Sequence, residues 1–209
     1  YTKMLFDEDV KISLFKYIEK LEDALETSLP DIIGFSNYAW NRQISKELSK
    51  IFLEKNPNGL VVWGGPNFPP DYPSQIKFFK KFPEIDIYVQ IEGEVGFSNI
   101  VEKALTAQSK NTLREKVLND SVPGCITKLN SGKLEFTSFD NRIKALDDIP
   151  SPYLTGILDE FFDGKLAPMI QTNRGCPFSC TFCVDGSDDV NQVNQFTTKR
   201  VDDELNYIS

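Results

Sequence analysis

Three apolar runs, DIIGFS (residues 31–36), LVVWGG (60–65) and IDIYVQ (85–90), end on small or polar residues and are separated by amphipathic stretches. In residues 10–25, Val10, Leu14, Tyr17, Ile18, Leu21 and Leu25 share one helical face, and Pro30 closes that helix. NRQISKELSKIFLEK (41–55) places Ile44, Leu48, Ile51 and Phe52 on another face, and NPNG (56–59) breaks it. Ile76 and Phe79 predict a helix over 73–82; Phe97, Ile100, Val101, Ala104 and Leu105 predict one after EGE (92–94). Strands that alternate with helices build an α/β fold, a doubly wound, Rossmann-like parallel sheet with right-handed crossovers. Ligands of such sheets bind where loops leave the C-terminal strand ends. Here those loops are SNYAW (36–40), GGPNF (64–68) and EGE (92–94).

The texture changes after residue 108. AQSKNTLREKVLND is polar and helix-compatible, and VPGCITKLNSGKLEF reads as a hairpin turning at NSG. ALDDIPSPYLTG is a proline-rich connector. APMIQTN (167–173) reads as one more strand, and TTKRVDDELNYIS begins a helix with Val201, Leu205 and Ile208 on one face. The expected organisation is therefore an α/β domain over 1–108, a helix and hairpin connector over 109–165, and the opening of a second, incomplete domain over 166–209. The first residue is Tyr1, so a chain cut at its N-terminus, lacking a first strand, is the expectation.

Composition excludes several chemistries. The chain has no histidine, which removes the Ser-His-Asp triad, the Cys-His dyad, HExxH zinc chemistry and any His-ligated metal. A formal net charge of −8 is the opposite of a nucleic-acid footprint. No apolar run approaches the ~18 residues of a membrane span. Four unevenly spaced cysteines without a signal peptide fit a reducing compartment, with the cytoplasm as default.

Three of those cysteines, Cys176, Cys180 and Cys183, stand together in RGCPFSCTFC. Thiolates suit zinc or iron–sulfur clusters. Structural zinc asks for four ligands, so a closed zinc site needs Cys125 or a carboxylate to complete it. A [4Fe–4S] cluster usually takes one thiolate per iron, so three leave one iron open to a small molecule. Gly175 and Pro177 favour the turning backbone that lets thiols converge.

C-x₃-C-x-aromatic-C after a strand resembles the signature of radical S-adenosylmethionine (SAM) enzymes, with Phe182 as the aromatic residue. The resemblance implies that Cys176, Cys180 and Cys183 hold a [4Fe–4S] cluster. It also implies that SAM chelates the open iron, with the Phe182 region against its adenine, and is cleaved to a 5′-deoxyadenosyl radical. By the same resemblance, residues 166–209 form the first βα unit of an incomplete radical SAM (β/α) barrel. Upstream, DIIGFSNYAWN, VVWGGPNFPP, IDIYVQIEGEVGF, VPGCI and LDDIPSPY follow the order seen in radical SAM proteins with an N-terminal cobalamin-binding-type domain. That implies a corrin-facing surface formed by Ser36, Asn37, Gly64, Gly65, Pro66, Glu92, Gly93 and Glu94.

The chain departs from many cobalamin domains in lacking the D-x-H-x-x-G loop, so cobalamin is a conditional cofactor beside the cluster and SAM. Plainer readings stand alongside. Glycines 64, 65 and 93 also suit ordinary turns, and Glu92 and Glu94 a solvated helix start. Trp40 and Trp63 are expected to be packing residues. Asp185, Asp188 and Asp189 read as a solvated turn. The expected function is radical SAM chemistry on an unknown substrate fed by an electron donor, with methyl transfer leading if cobalamin binds. A non-catalytic cobalamin-binding or interaction module, or a structural zinc protein, is the alternative.

Overall fold

The computed structural model describes residues 1–138, 142–181, 183 and 191–209. Two compact units divide the chain, Thr2–Asn141 and Arg142–Ser209. Phe182, Asp185, Asp188 and Asp189 lie outside the described residues.

The first unit opens with helix α1 (Thr2–Phe6) and a 3-10 turn, Asp7–Asp9. Helix α2 (Ile18–Thr27) leads to strand β1 (Ile32–Ser36), and α3 (Arg42–Lys55) to β2 (Leu60–Gly64). Then follow α4 (Tyr72–Lys81), β3 (Ile87–Val89), α5 (Gly93–Leu105), α6 (Lys110–Val117) and the hairpin β4 (Cys125–Lys128) and β5 (Leu134–Phe136). The strands form one sheet in the order β1-β2-β3-β4-β5. β1, β2 and β3 run parallel; β4 and β5 continue the sheet antiparallel. The hairpin expected in a connector is thus part of the sheet.

β2 explains the two-sided core. Leu60, Val61, Val62 and Trp63 are all buried, as a central strand covered on both faces requires. Successive side chains point to opposite faces. Val61 and Trp63 pack with Leu25, Phe52, Phe78, Phe79 and Phe82; Leu60 and Val62 pack with Ile100, Ala104, Leu113 and Val117. Helices α2, α3 and α4 therefore cover one face, and α5 and α6 the other. At α4, Asp71 accepts a hydrogen bond from the Ser74 amide, and Lys80 and Lys81 sit in the last turn, matching both ends of the helix dipole.

Two helical expectations are corrected. Residues 10–17 are not helical: the apolar Val10, Ile12, Leu14 and Phe15 stand two, two and one apart, which adds apolar positions off the expected helical face. In α3 the buried residues are Ser45, Leu48, Ser49 and Phe52, not Ile44, which is 40% exposed. The turn is set by Trp63. Its indole Nε1 donates to Ser49 Oγ at 3.1 Å, and Ser49 Oγ donates to Ser45 O at 2.7 Å. A buried indole needs such a partner, so two serines displace two isoleucines from the sheet side. Trp63 packs as expected; Trp40 does not, being 77% exposed and stacked on Tyr38 at 4.7 Å.

In the second unit, the two-stranded pair β6 (Asn173–Arg174) and β7 (Asn194–Gln195) is antiparallel, and α7 (Thr198–Ile208) follows. The strand expected over 167–173 shrinks to its last residue and Arg174. Beyond the Thr172 carbonyl, which accepts from the Phe196 amide, residues 167–171 have no strand pairing among the described residues, and a strand needs one to satisfy its backbone. The face of α7 is also shifted: Glu204 is buried and Leu205 is 52% exposed. Glu204 Oε1 accepts from Arg200 Nε at 2.7 Å and from Ser151 Oγ at 2.6 Å, which makes its burial tolerable.

Candidate functional site

The parallel register lines up the ends of the strands. Ser36 pairs with Gly64, and Gly64 with Val89, so the three predicted loops leave the same edge of the sheet. Ser36 is exposed, and its Oγ accepts from Asn41 Nδ2 at 3.0 Å. Asn37 is fully buried. Its backbone N–H donates to Gly64 O at 2.6 Å, and its carbonyl accepts from the Asn67 amide at 3.1 Å. Its Nδ2 donates to Asn67 O (2.6 Å) and to Tyr88 Oη (3.1 Å), while Oδ1 accepts from Asn67 Nδ2 (3.3 Å). Tyr88 Oη in turn donates to Gly65 O at 2.7 Å. The Asn37 amide is therefore spent on the loops. It can fix where Gly64, Gly65 and Pro66 stand, but it has no donor left for a ligand.

Gly65 is required here. Its φ is +118°, and a Cβ would lie 3.0 Å from both the N and the O of Asn37. At Gly64 a Cβ would make only ordinary contacts, 3.5 Å from Val89. Beneath this turn is an open cavity of about 290 Å³ lined by Arg42, Pro66, Asn67, Phe68, Pro69 and Phe78. Phe68, one of its lining rings, stacks on Tyr88 with centroids 3.9 Å apart. Burial pushes the Tyr88 hydroxyl far above its ordinary pKa, against the opposing Asn37 hydrogen bond, so it is a structural donor rather than an acid.

On the third loop, Ile91 has φ of +53°, a left-handed conformation that a β-branched residue rarely adopts. Glu92 follows as the N-cap of α5 and is only 6% exposed, so it is not a solvated helix start. Glu94 is half-buried in the first turn. A Cβ at Gly93 would meet nothing within 4 Å, so the loop presents open space beside two carboxylates.

In the second unit, β6 runs into Gly175, whose φ of +97° makes the turn before the cysteines. Cys176 is half-buried; Cys180 and Cys183 are exposed, and the Cys183 amide donates to Cys180 O at 3.1 Å. All three thiols are free. Among the described residues no three Cys, Asp or Glu side chains converge in a metal-holding group. The donor set still fits an iron–sulfur cluster, being three free thiols on one turning loop. Cys125 does not join them. Its Sγ is buried against α5, donating to Gly96 O at 3.6 Å, and burial pushes its pKa up to about 12. A zinc site completed by Cys125 therefore finds no support.

Sequence reasoning named the glycines and cysteines but missed Asn67, Tyr88 and Ile91. Tyr88 and Asn67 were readable only as a strand and a turn residue, since their hydrogen bonds join distant loops.

No protein-family model matches the chain. Curated relatives do. The cobalamin-dependent radical SAM methyltransferase TokK of Streptomyces tokunonensis is 30% identical over 98% of this chain and 29% of its own. The 2-(S-pantetheinyl)-carbapenam-3-carboxylate methyltransferase of Streptantibioticus cattleyicolor is 30% identical over 86% of this chain and 26% of its own. The anaerobic magnesium-protoporphyrin IX monomethyl ester cyclase of Cereibacter sphaeroides is 27% identical over 79% of this chain. Among solved structures, the apo form of the cobalamin-dependent S-adenosylmethionine radical enzyme OxsB superposes with a TM-score of 0.62. That match has 20% identity and covers 92% of this chain and 25% of the other, so it speaks to the fold. The chain thus spans less than a third of the length of these relatives. A match over 98% of the chain omits neither unit, and sequence and fold agree: the chain is a relative of the radical SAM enzymes that carry an N-terminal cobalamin-binding-type domain.

Proposed function

We propose that this chain supplies the cobalamin-binding-type domain and the cluster-bearing opening of a radical SAM methyltransferase. The observation that carries the reading is that the TokK match spans both the sheet unit and the C-x₃-C-x₂-C loop. Cys176, Cys180 and Cys183 would hold a [4Fe–4S] cluster, which when bound supplies the electron that cleaves SAM reductively. Gly64, Gly65, Pro66, Glu92, Gly93 and Glu94 would receive cobalamin, which when bound carries the methyl group. In this arrangement the protein's own contribution is placement. Asn37 and Tyr88 fix the Gly-Gly-Pro edge, the missing Cβ at Gly65 lets the Asn37 backbone pack against it, and the missing Cβ at Gly93 leaves room for a flat ligand to approach backbone. Phe182 would lie against the SAM adenine. The methyl acceptor is an unactivated carbon of a substrate bound by residues outside this chain, and a separate protein or reductant delivers electrons.

The test is an anaerobic analysis of iron, sulfide, cobalt and zinc after reconstitution. About four irons per chain, lost in the Cys176→Ala/Cys180→Ala/Cys183→Ala variant, is the expected result. Bound cobalt, retained by that variant and lost when the Gly-Gly-Pro edge is blocked, is expected if the sheet edge holds the corrin. Little iron with one tight zinc would sink the reading.

A further inference from the structure

We infer that Tyr153 is a positioning residue for the cysteine loop, its hydroxyl holding the segment that leads into Cys176 where a neighbouring strand would otherwise hold it. The inference deepens the reading of that loop as a cluster site and rests on it. Tyr153 is 7% exposed, and its Oη makes two bonds to one residue. It accepts from the Met169 amide at 2.9 Å and donates to the Met169 carbonyl at 2.8 Å. A single side chain thus satisfies both backbone groups of a residue that has no strand partner among the described residues. The Met169 side chain is 85% exposed, so the contact serves the backbone and not side-chain burial.

Tyr153 is itself fixed. The amides of Tyr153 and Leu154 donate to Ser151 Oγ at 3.2 and 3.1 Å, and Ser151 Oγ donates to Glu204 of α7. Arg200, paired with Glu204, donates to Ile149 O at 3.0 Å. The far leg of the loop is tied to the same segment. Arg142 donates to Gln192 O at 2.8 Å and Asn194 Nδ2 to Ile143 O at 3.4 Å. Between the legs, the Phe196 amide donates to Thr172 O, and β6 pairs with β7. Residues 142–153 therefore strap both legs of the loop to α7. Three thiols must meet at one cluster, and clamping the legs removes part of the entropy of bringing them together. Groups behind metal ligands commonly set ligand geometry in this way.

Tyr153→Phe removes one oxygen and keeps the ring that packs near Phe162. In the metal-free protein, the Met169 amide is expected to exchange with solvent about fivefold faster or more, the scale of one net hydrogen bond. After anaerobic reconstitution, the variant is expected to hold less than half the wild-type iron and sulfide. What it holds, once reduced by one electron with dithionite, should give a broadened electron paramagnetic resonance signal when SAM is added. Tyr207→Phe, which removes a hydroxyl bond to Asp159 in the same unit, is expected to leave all three readouts at wild-type values. Unchanged exchange and cluster content in Tyr153→Phe would overturn the inference. So would an equal loss in Tyr207→Phe, which would mean general loosening. If the wild type itself takes up no iron, the cluster reading fails, and the exchange comparison alone decides whether Tyr153 holds the segment.

Discussion

Gly64 and Gly65 are adjacent on the candidate corrin face, yet the structure assigns them opposite tolerances. Gly65→Ala forces a side chain into φ of +118° and places its Cβ 3.0 Å from the Asn37 N and O. An L-residue pushed into positive φ loses about 1–2 kcal/mol. The contact is with backbone, which cannot swing away as a flexible side chain could, and overpacking of this kind adds about 1–3 kcal/mol. Removing glycine's freedom from the unfolded chain returns about 0.4–1 kcal/mol. The net is a destabilisation of about 1–5 kcal/mol, centred near 3. Gly64→Ala meets Val89 at 3.5 Å and carries no positive φ, so its stability should stay within about 0.5 kcal/mol of wild type. Urea unfolding followed by circular dichroism measures both, and the midpoint should fall for Gly65→Ala alone. Corrinoid titration adds the functional half: Gly64→Ala is expected to fold normally and to bind hydroxocobalamin more weakly, because the extra methyl packs on Val89 at the end of β2, beside the turn that would receive the ring. Equal stability of the two variants would refute the steric argument. Undiminished corrinoid binding by a folded Gly64→Ala would refute the placement of the ring.

Three other outcomes follow from the geometry. Asp86 is fully buried, accepts from the Val61 amide at 3.0 Å and from Arg114 Nε and a terminal nitrogen at 3.1 and 2.6 Å; Asp86→Ala should cost about 3 kcal/mol in urea unfolding, whereas a cost under about 1 kcal/mol would mean the cations simply turn to water. Ile91→Asn should raise the stability of the first unit by about 0.5–1 kcal/mol, because asparagine tolerates positive φ, and a lower melting temperature would show that the loop does not hold Ile91 as described. The side-chain and backbone hydrogen bonds from Thr197 hold the Asp147 carboxyl below the ordinary aspartate range, so the bond stabilises the fold above that range and is lost as pH falls through the lower folded value. Asp147→Asn should therefore flatten the acid limb of the melting-temperature profile below about pH 4 and leave the rest of the curve parallel.

Where a residue's environment is set by its near neighbours in sequence, the sequence was a good guide. The runs LVVWGG and IDIYVQ contain the two strands, and the end of the first, Gly64, is where the turn begins. The same holds for the hairpin, whose NSG turn is closed by the Gly132 amide donating to Leu129 O. Legibility failed where a distant group decided the outcome. The apolar count in α3 favours Ile44 and Ile51, but one indole N–H fourteen residues away needed Ser49 and turned the helix. Asn37 looked like a ligand-binding residue because it sits at a strand end; its amide is consumed by Asn67 and Tyr88, which no spacing rule connects to it.

The second unit shows the same limit from the other side. APMIQTN has the composition of a strand, but composition supplies only one side of a ladder. The other side must come from another segment, and here a tyrosine hydroxyl takes its place at Met169. The cysteine spacing was legible because ligand chemistry depends on residue type and interval alone, whereas the support of the loop depends on hydrogen bonds between residues up to fifty-three positions apart, as from Ser151 to Glu204. A motif can therefore announce a cluster loop without saying what holds it in place. In this chain that support is polar and largely buried: the Ser151 hydroxyl and Arg200 both meet Glu204, Arg200 also reaches the Ile149 carbonyl, and the Tyr153 hydroxyl holds the Met169 backbone. Polar groups at such depth cost stability unless every member is paired. A chain of them running from α7 to the segment before Cys176 makes mechanical sense only if the position of that segment matters.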